Sequence, residues 1–336
     1  MKIIKNSKLL LKFASKVRAV NRENGSYHRY VNKIAQNEIA RSHQFNDGSI
    51  SQLHFLKIQW YMVTNLYLGE LLSELRPKGI TNKEKETLVY LGALMAITDL
   101  MVDDHQIDSQ RISILLSGDY HKLNKCFAIE KIFILYHDKL LTSIDATKAN
   151  FIKDFSIRKP QIDSNSQLKK NVSEAEIHEL IRNKGGTAIL LTASLLFEIT
   201  EKNKAAFYQL GAFIQYLNDS QDMYKDMNAG ITTFVSFCTN YNQVNERLKL
   251  EFDKTTTLLQ QTEYETGDLY RLIFYLQALY VGVLYKNTEF AKITGNRIDN
   301  LSQPQLSKDQ FRTKIFTPSS LRFCIPRILS FRNPQV

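Results

Sequence analysis

The stretch Gln215 to Phe234, QYLNDSQDMYKDMNAGITTF, carries the side chains best suited to chemistry. Asn218, Asp222 and Asp226 recur every four residues. On a helix advancing about 100° per residue they drift only about 40° per step, so one amide and two carboxylates line one face. Asp219 projects about 100° away from that face and ranks below the three. Residues 205–217, AAFYQLGAFIQYL, are apolar and aromatic, so the polar face ends a buried helix, and buried acids need a cation. A second acidic run, TDLMVDDHQID at 98–108, also follows an apolar stretch, 88–97. Asp99 and Asp103 share the four-residue step, Asp104 is adjacent, and Asp108 continues the face one turn later. Like charges at that spacing repel. Two such clusters on inward-facing helices become favourable where hard divalent ions sit between them. Mg²⁺ takes carboxylate and amide oxygens and fills its remaining positions with water and phosphate oxygens. That constellation suits a diphosphate.

The elements that must hold these residues read as helices throughout. Four of the six prolines, Pro304, Pro318, Pro326 and Pro334, fall in the last 33 residues, which leaves the first 300 almost without helix breakers. No βαβ alternation, G-x-G-x-x-G or Walker loop is present. The expected organisation is an all-α, single-domain chain over 1–300, followed by a Pro-containing basic and apolar tail, 301–336. Amphipathic helices flank a polar break at 21–26, and His43–Ser49 reads as a loop from which Ser49 or Ser51 caps the next helix. Helix 50–75 carries Trp60, expected in the core. Pro77–Gly79 ends it, and Thr81 with Glu84 forms a capping box that opens the helix leading to Asp99. Further helices over 109–160 end near Pro160, 161–175 reads as a loop, and Ser173 with Glu176 offers another capping box. Gly185 and Gly186 inside a helix imply close helix approach, a kink, or backbone facing a ligand. Gly230 breaks the motif helix, 243–262 reads as peripheral, and 268–293 as an aromatic-rich core helix.

Composition narrows the function classes. A hydrophobic content of 43% supports a sizeable core, and Cys126, Cys238 and Cys324, odd in number and widely spaced, suggest reduced thiols in a cytoplasmic protein. No apolar run reaches the roughly 20 residues of a membrane span. The net charge of +10 is spread along the chain without a nucleic-acid module, so an anionic small-molecule substrate explains it and nucleic acid is not expected. The basic amphipathic N-terminus and the tail leave open a peripheral position at the inner face of a membrane. A non-catalytic helical binding protein on such a surface is the competing class.

With both acidic clusters set out, the sequence resembles the class I isoprenoid synthase superfamily, most nearly its squalene/phytoene synthase branch. The segment 210–226, LGAFIQYLNDSQDMYKD, resembles that branch's second motif, a Gly-x-x-x-Gln lead followed by Asn-x-x-x-Asp-x-x-x-Asp. Asp99-x-x-x-Asp103-Asp104 resembles its first. The same residues also resemble terpene cyclase metal motifs: Asn218-Asp219, Asp222 and Lys225-Asp226 the Asn-Asp-x-x-Ser-x-x-Lys-Glu pattern, with Asp replacing both Ser and Glu, and 103–108 the Asp-Asp-rich one. Three departures bear on the product, one being that the C-terminal Arg-Tyr pair usual in terpene synthases is not evident. The Tyr-x-x-x-Val-Ala-Gly segment of squalene and phytoene synthases meets IRNKGGTA at 181–188 here, without the tyrosine, and the basic run of chain-elongating enzymes is reduced to Arg111.

The resemblance implies a helical bundle around a central cavity and a terpene synthase that ionises one allylic prenyl diphosphate, with release of pyrophosphate. Squalene/phytoene synthase-like condensation of two prenyl diphosphates is the alternative. It implies three Mg²⁺ ions, with Mn²⁺ a substitute, held by Asp99, Asp103 and Asp104 on one side and Asn218, Asp222 and Asp226 on the other. Arg182, Lys184 and Lys225 become candidate diphosphate donors, with surface ion pairing as the competing role for each. Aromatic rings such as Phe213 and Tyr216 would face the carbocation. His105 and Asp108 are either close to the metal or exposed helix residues. A homodimer is compatible with all of this.

Overall fold

The computed structural model describes residues 2–22, 25–154, 167, 172–303, 306–311 and 317–331. Among them there are helices and turns but no strand, as the sequence leads one to expect. The expected helix end near Pro160, most of the 161–175 loop, and Pro304, Arg332 and Pro334 lie outside the described residues. The α-helices are α1 (Lys2–Asn21), α2 (Ser26–Ile34), α3 (Gln36–Phe45), α4 (Gln52–Leu72), α5 (Asn82–Asp103), α6 (Ser109–Ser117), α7 (Ala128–Ser143), α8 (Ala146–Asp154), α9 (Glu174–Ser194), α10 (Glu201–Asn228), α11 (Tyr241–Gln260), α12 (Thr266–Thr294) and α13 (Pro318–Leu329). The chain divides into two compact units: Met1–Phe13, Ser164–Gly186 and Glu201–Val336 form one, and Ala14–Asp163 with Thr187–Thr200 the other. The C-terminal helix α13 is thus part of the first unit.

In the second unit α4 and α5 pack against each other. Asn65 on α4, nearly fully buried, donates to the Leu88 carbonyl at 2.7 Å and accepts from Thr192 at 2.7 Å, so one amide ties α4, α5 and the end of α9. A buried amide with both ends satisfied stabilises, where the same amide left unpaired would cost about 1–3 kcal/mol. Ser51 caps α4, and Thr81 and Glu84 cap α5 reciprocally, with Arg76 holding Glu84 at 2.6 Å. Trp60 departs from expectation: it is 42% exposed, and α4 turns it outward with Leu53 and Leu56.

In the first unit α10 and α12 supply the core. Phe207, Leu210, Phe213 and Tyr216 from α10 are fully covered, as are Leu272, Phe274, Tyr275 and Leu276 from α12. The charged segment expected to be amphipathic and peripheral, now α11, buries one helical stripe of Val244, Leu248, Phe252 and Leu259 and exposes its other face. The start of α1 docks here too. Asn6 donates to the Leu329 carbonyl at 3.1 Å and accepts from the Tyr270 hydroxyl at 2.5 Å, and Phe13 stacks on Tyr275.

Ser173 and Glu176 close the capping box of α9. Of the three readings of Gly185 and Gly186, close helix approach holds. A Cβ on Gly185 would run into the Gly211 carbonyl oxygen of α10, and a Cβ on Gly211 into that of Gly185. The two backbones cross in contact, which only glycine permits. Gly230, at φ +69°, ends the motif region in the left-handed conformation. Cys126, Cys238 and Cys324 form no disulfide, and no described helix is long and apolar enough to cross a membrane.

Candidate active site

The crossing at Gly185 and Gly211 fixes what surrounds the acids of α10. Lys184 precedes Gly185, and a Cβ on Gly185 would also touch Gln215. Four residues on, Asp219 is buried and its Oδ1 accepts from Gln215 Nε2 at 2.7 Å. Its Oδ2 is buried with no hydrogen-bond partner among the described residues. Burial pushes the Asp219 carboxyl from 3.8 up to about 7, with Asp226 and Asp222 adding to the rise and Gln215 and Lys184 opposing it. Asp226, also buried, rises to about 6, from burial first and then from Asp222, against Lys225 and Lys184. Lys286 of α12, its ammonium pushed down by burial and supported by Asp222, donates to the Gln221 carbonyl at 3.0 Å. The acids also sit in the last turns of α10, where the helix dipole disfavours negative charge.

This corrects the helical wheel drawn from the sequence. Measured from Asn218, the directions of Asp222, Gln215, Asp226 and Asp219 fall at about 40°, 60°, 80° and 100°. The buried arc centres on the last three, and Asn218 lies at its edge. Asn218 is exposed, Asp222 half-buried, and Asp219, ranked lower at first, is the most deeply buried acid of the group.

The acidic end of α5 is built differently. Asp99 is buried and its Oδ2 lies 2.5 Å from Lys57 Nζ of α4. Asp103 and Asp104 are exposed at the last turn and C-cap. Asp108 is exposed and caps α6, accepting from the Gln110 amide at 2.7 Å, so its role there is structural. His105 faces His54 with ring centroids 5.6 Å apart, and burial first, then His54, pushes its pKa below the ordinary value.

Several expected substrate contacts are otherwise engaged. Arg182 lies 3.7 Å from Glu251, a fully buried carboxylate that also accepts from Gln209 at 2.8 Å and Lys254 at 3.0 Å. Phe213 packs against Phe252 and Tyr280. Tyr216 packs its edge on Phe234, and its hydroxyl lies 2.6 Å from His178 Nδ1. Both rings therefore sit among core side chains. The charge of Lys184 opposes the rise at Asp219 and Asp226, and Lys225 is exposed next to Asp226 in sequence. Sequence spacing gives no sign of Lys57, because 42 residues separate it from Asp99 and no local pattern links them.

Among the described residues no group of three or more His, Cys, Asp or Glu side chains stands ready to enclose a metal ion. Mg²⁺ does not require such a cage, since one or two carboxylates plus waters and phosphate oxygens suffice. The unpartnered Oδ2 of Asp219 and the raised pKa values on α10 fit a site that is incomplete without a cation.

No protein-family model matches the sequence, and no curated protein matches it. Among solved structures the chain is similar to a geranyltransferase from Legionella pneumophila, at 16% identity and a TM-score of 0.40, over 75% of this chain and 98% of the other. It is also similar to a dehydrosqualene synthase determined in complex with ligand, at 11% identity and a TM-score of 0.46, over 83% of this chain and 99% of the other.

Proposed function

We propose that the chain is a Mg²⁺-dependent class I isoprenoid synthase that ionises an allylic prenyl diphosphate and releases pyrophosphate. The observation that carries this reading is the α10 stripe, where two buried acids with raised pKa values and an orphaned carboxylate oxygen end an apolar helix. Asp222 and Asp226 would hold the ion from α10, with Asn218 at the edge, and Asp99, Asp103 and Asp104 would hold ions from α5. Bound Mg²⁺ supplies Lewis-acid stabilisation of the leaving diphosphate. Lys184, which offsets the charge of Asp219 and Asp226, and Lys57, paired with Asp99, would donate to phosphate oxygens.

The test is incubation of the full chain with prenyl diphosphates of graded chain length, with and without Mg²⁺. Pyrophosphate release is followed and organic products are extracted. Release that depends on Mg²⁺ is expected, and no release with any chain length overturns the reading. Head-to-head condensation of two substrates is the second reading. The lead Gly211-x-x-x-Gln215 favours it, because that glycine makes the α9 crossing and that glutamine holds Asp219. A product with twice the substrate's carbon count would select it over cyclisation.

A further inference from the structure

We propose that Lys286 of α12 makes metal binding at the end of α10 depend on diphosphate. Its ammonium opposes a metal ion that arrives alone at Asp222 and donates to phosphate oxygens when metal and diphosphate arrive together. This deepens the reading above and rests on it. The geometry begins with the next residue of α12. Asn287, fully buried, accepts from the Ser220 hydroxyl of α10 at 3.0 Å and donates to Asn245 of α11 at 2.8 Å. That grip sets the register of α12 against α10. One residue earlier, Lys286 Nζ donates to the Gln221 carbonyl of α10 at 3.0 Å. The Gln221 carbonyl and the Asp222 amide share one peptide unit, so α12 places a positive charge at the backbone of a residue assigned to the metal.

The electrostatics point the same way. Burial pushes the Lys286 ammonium down and Asp222 holds it up, whereas Lys184 acts on Asp219 and Asp226 and Lys57 on Asp99. Lys286 therefore serves the acid that the other two lysines do not. Its ammonium also lies over the Phe290 ring at 5.3 Å. An ammonium has three protons to donate, so a carbonyl and a ring face leave it able to take a phosphate oxygen as well. A divalent ion held by Asp222 meets this ammonium as a like charge, and between charges a few ångströms apart near a protein surface the repulsion exceeds thermal energy. Diphosphate reverses the sign, because it binds the metal and accepts from the lysine. Metal and diphosphate then strengthen each other's binding by the same factor.

The test follows Mn²⁺ binding to the full chain by electron paramagnetic resonance, with and without inorganic pyrophosphate, against a protein-free Mn²⁺–pyrophosphate reference. Lys286→Gln removes the charge but can still donate to the Gln221 carbonyl, Lys286→Met removes both, and Lys286→Arg keeps both. Folding of each is checked by circular dichroism. The two neutral variants should bind Mn²⁺ alone about tenfold more tightly than wild type, and pyrophosphate should enhance their Mn²⁺ binding about tenfold less. Lys286→Arg should match wild type. A lysine that only braces the helices gives the opposite sign, weaker Mn²⁺ binding in Lys286→Met, and that result overturns the proposal. Equal affinities in wild type and Lys286→Gln, with and without pyrophosphate, overturn it too. If the affinities are equal while wild type still releases pyrophosphate from a prenyl diphosphate with Mg²⁺, the coupling falls and the proposed reaction stands. No Mn²⁺ binding to wild type under either condition counts against both.

Discussion

At the end of α5 the buried acid, Asp99, has a lysine of its own at 2.5 Å, and the remaining acids of the cluster stand in water. At the end of α10 two acids, Asp219 and Asp226, are buried, and Lys184 offsets the charge of both. Both ends face the same adverse helix dipole, but α10 sets two buried acids against one shared lysine where α5 sets one acid against a lysine of its own. An external cation therefore gains more at α10. The α5 end resembles an ion pair already made, from which a metal would have to displace Lys57.

The largest way to break this contrast is to remove charge from α10. Asp222→Ala and Asp226→Asn should each lower pyrophosphate release by about 10³-fold, the scale of losing one preorganised electrostatic contact in a transition state. Both variants should stay folded, because each relieves repulsion. Unchanged release from either one contradicts the assignment of α10.

A pH series sharpens the same contrast. The Asp219 and Asp226 carboxyls rise from 3.8 to about 7 and about 6 in the folded chain. Between about pH 4 and pH 7 the folded state thus holds more protons than the unfolded one, and their contribution to stability falls as pH rises. Glu84, held near 2 against the opposing effect of burial by Arg76 and Thr81, works in the opposite sense, losing its contribution as pH falls below about 4. Asp219→Asn should flatten the upper slope relative to wild type by up to about 4 kcal/mol across that window, measured by denaturant unfolding. Saturating Mg²⁺ should flatten it in the wild type as well. Equal slopes in variant and wild type would refute the burial argument.

How much of this the sequence discloses depends on the range of the interaction. Caps are local, so Ser51, Thr81 with Glu84, and Ser173 with Glu176 are legible from spacing alone. Gly185 and Gly186 announce a close approach, but their partner, Gly211, emerges only in three dimensions. Sequence places Trp60 inside because α4 is apolar on almost every side, and periodicity does not say which side is left uncovered. Asp219 lies about 100° from Asn218 on the helical wheel but within about 20° of Asp226, so a face measured from Asn218 understates it. Lys57 with Asp99 and Arg182 with Glu251 are tertiary pairs, beyond any single-sequence pattern.

Two variants of middling effect test the supports of the two ends. Gly211→Ala forces a methyl group against the Gly185 carbonyl and should destabilise the fold by about 1–3 kcal/mol, read from thermal or denaturant unfolding. A neutral result would mean the helices can part without penalty. Lys57→Met removes the partner of a buried acid and should cost about 2 kcal/mol, less than for a fully enclosed pair because Lys57 is partly exposed. Mg²⁺ should restore more stability to Lys57→Met than it adds to wild type, since Asp99 is then available to the metal. Equal Mg²⁺ effects would show that Lys57 does not compete for that site.

The smallest effect is expected at Asn218. Its amide is exposed at the edge of the arc and offers a neutral oxygen, whereas Asp222 and Asp226 offer charge from a half-buried and a buried position. Losing a neutral ligand from a hydrated site removes one contact and leaves no buried charge behind, so Asn218→Ala should weaken Mn²⁺ binding, followed by electron paramagnetic resonance, by about tenfold. Asp222→Ala should weaken it considerably more. If the two variants lose affinity equally, ligand geometry along the 218, 222, 226 face governs the site, and the under-compensated charge of the buried arc does not.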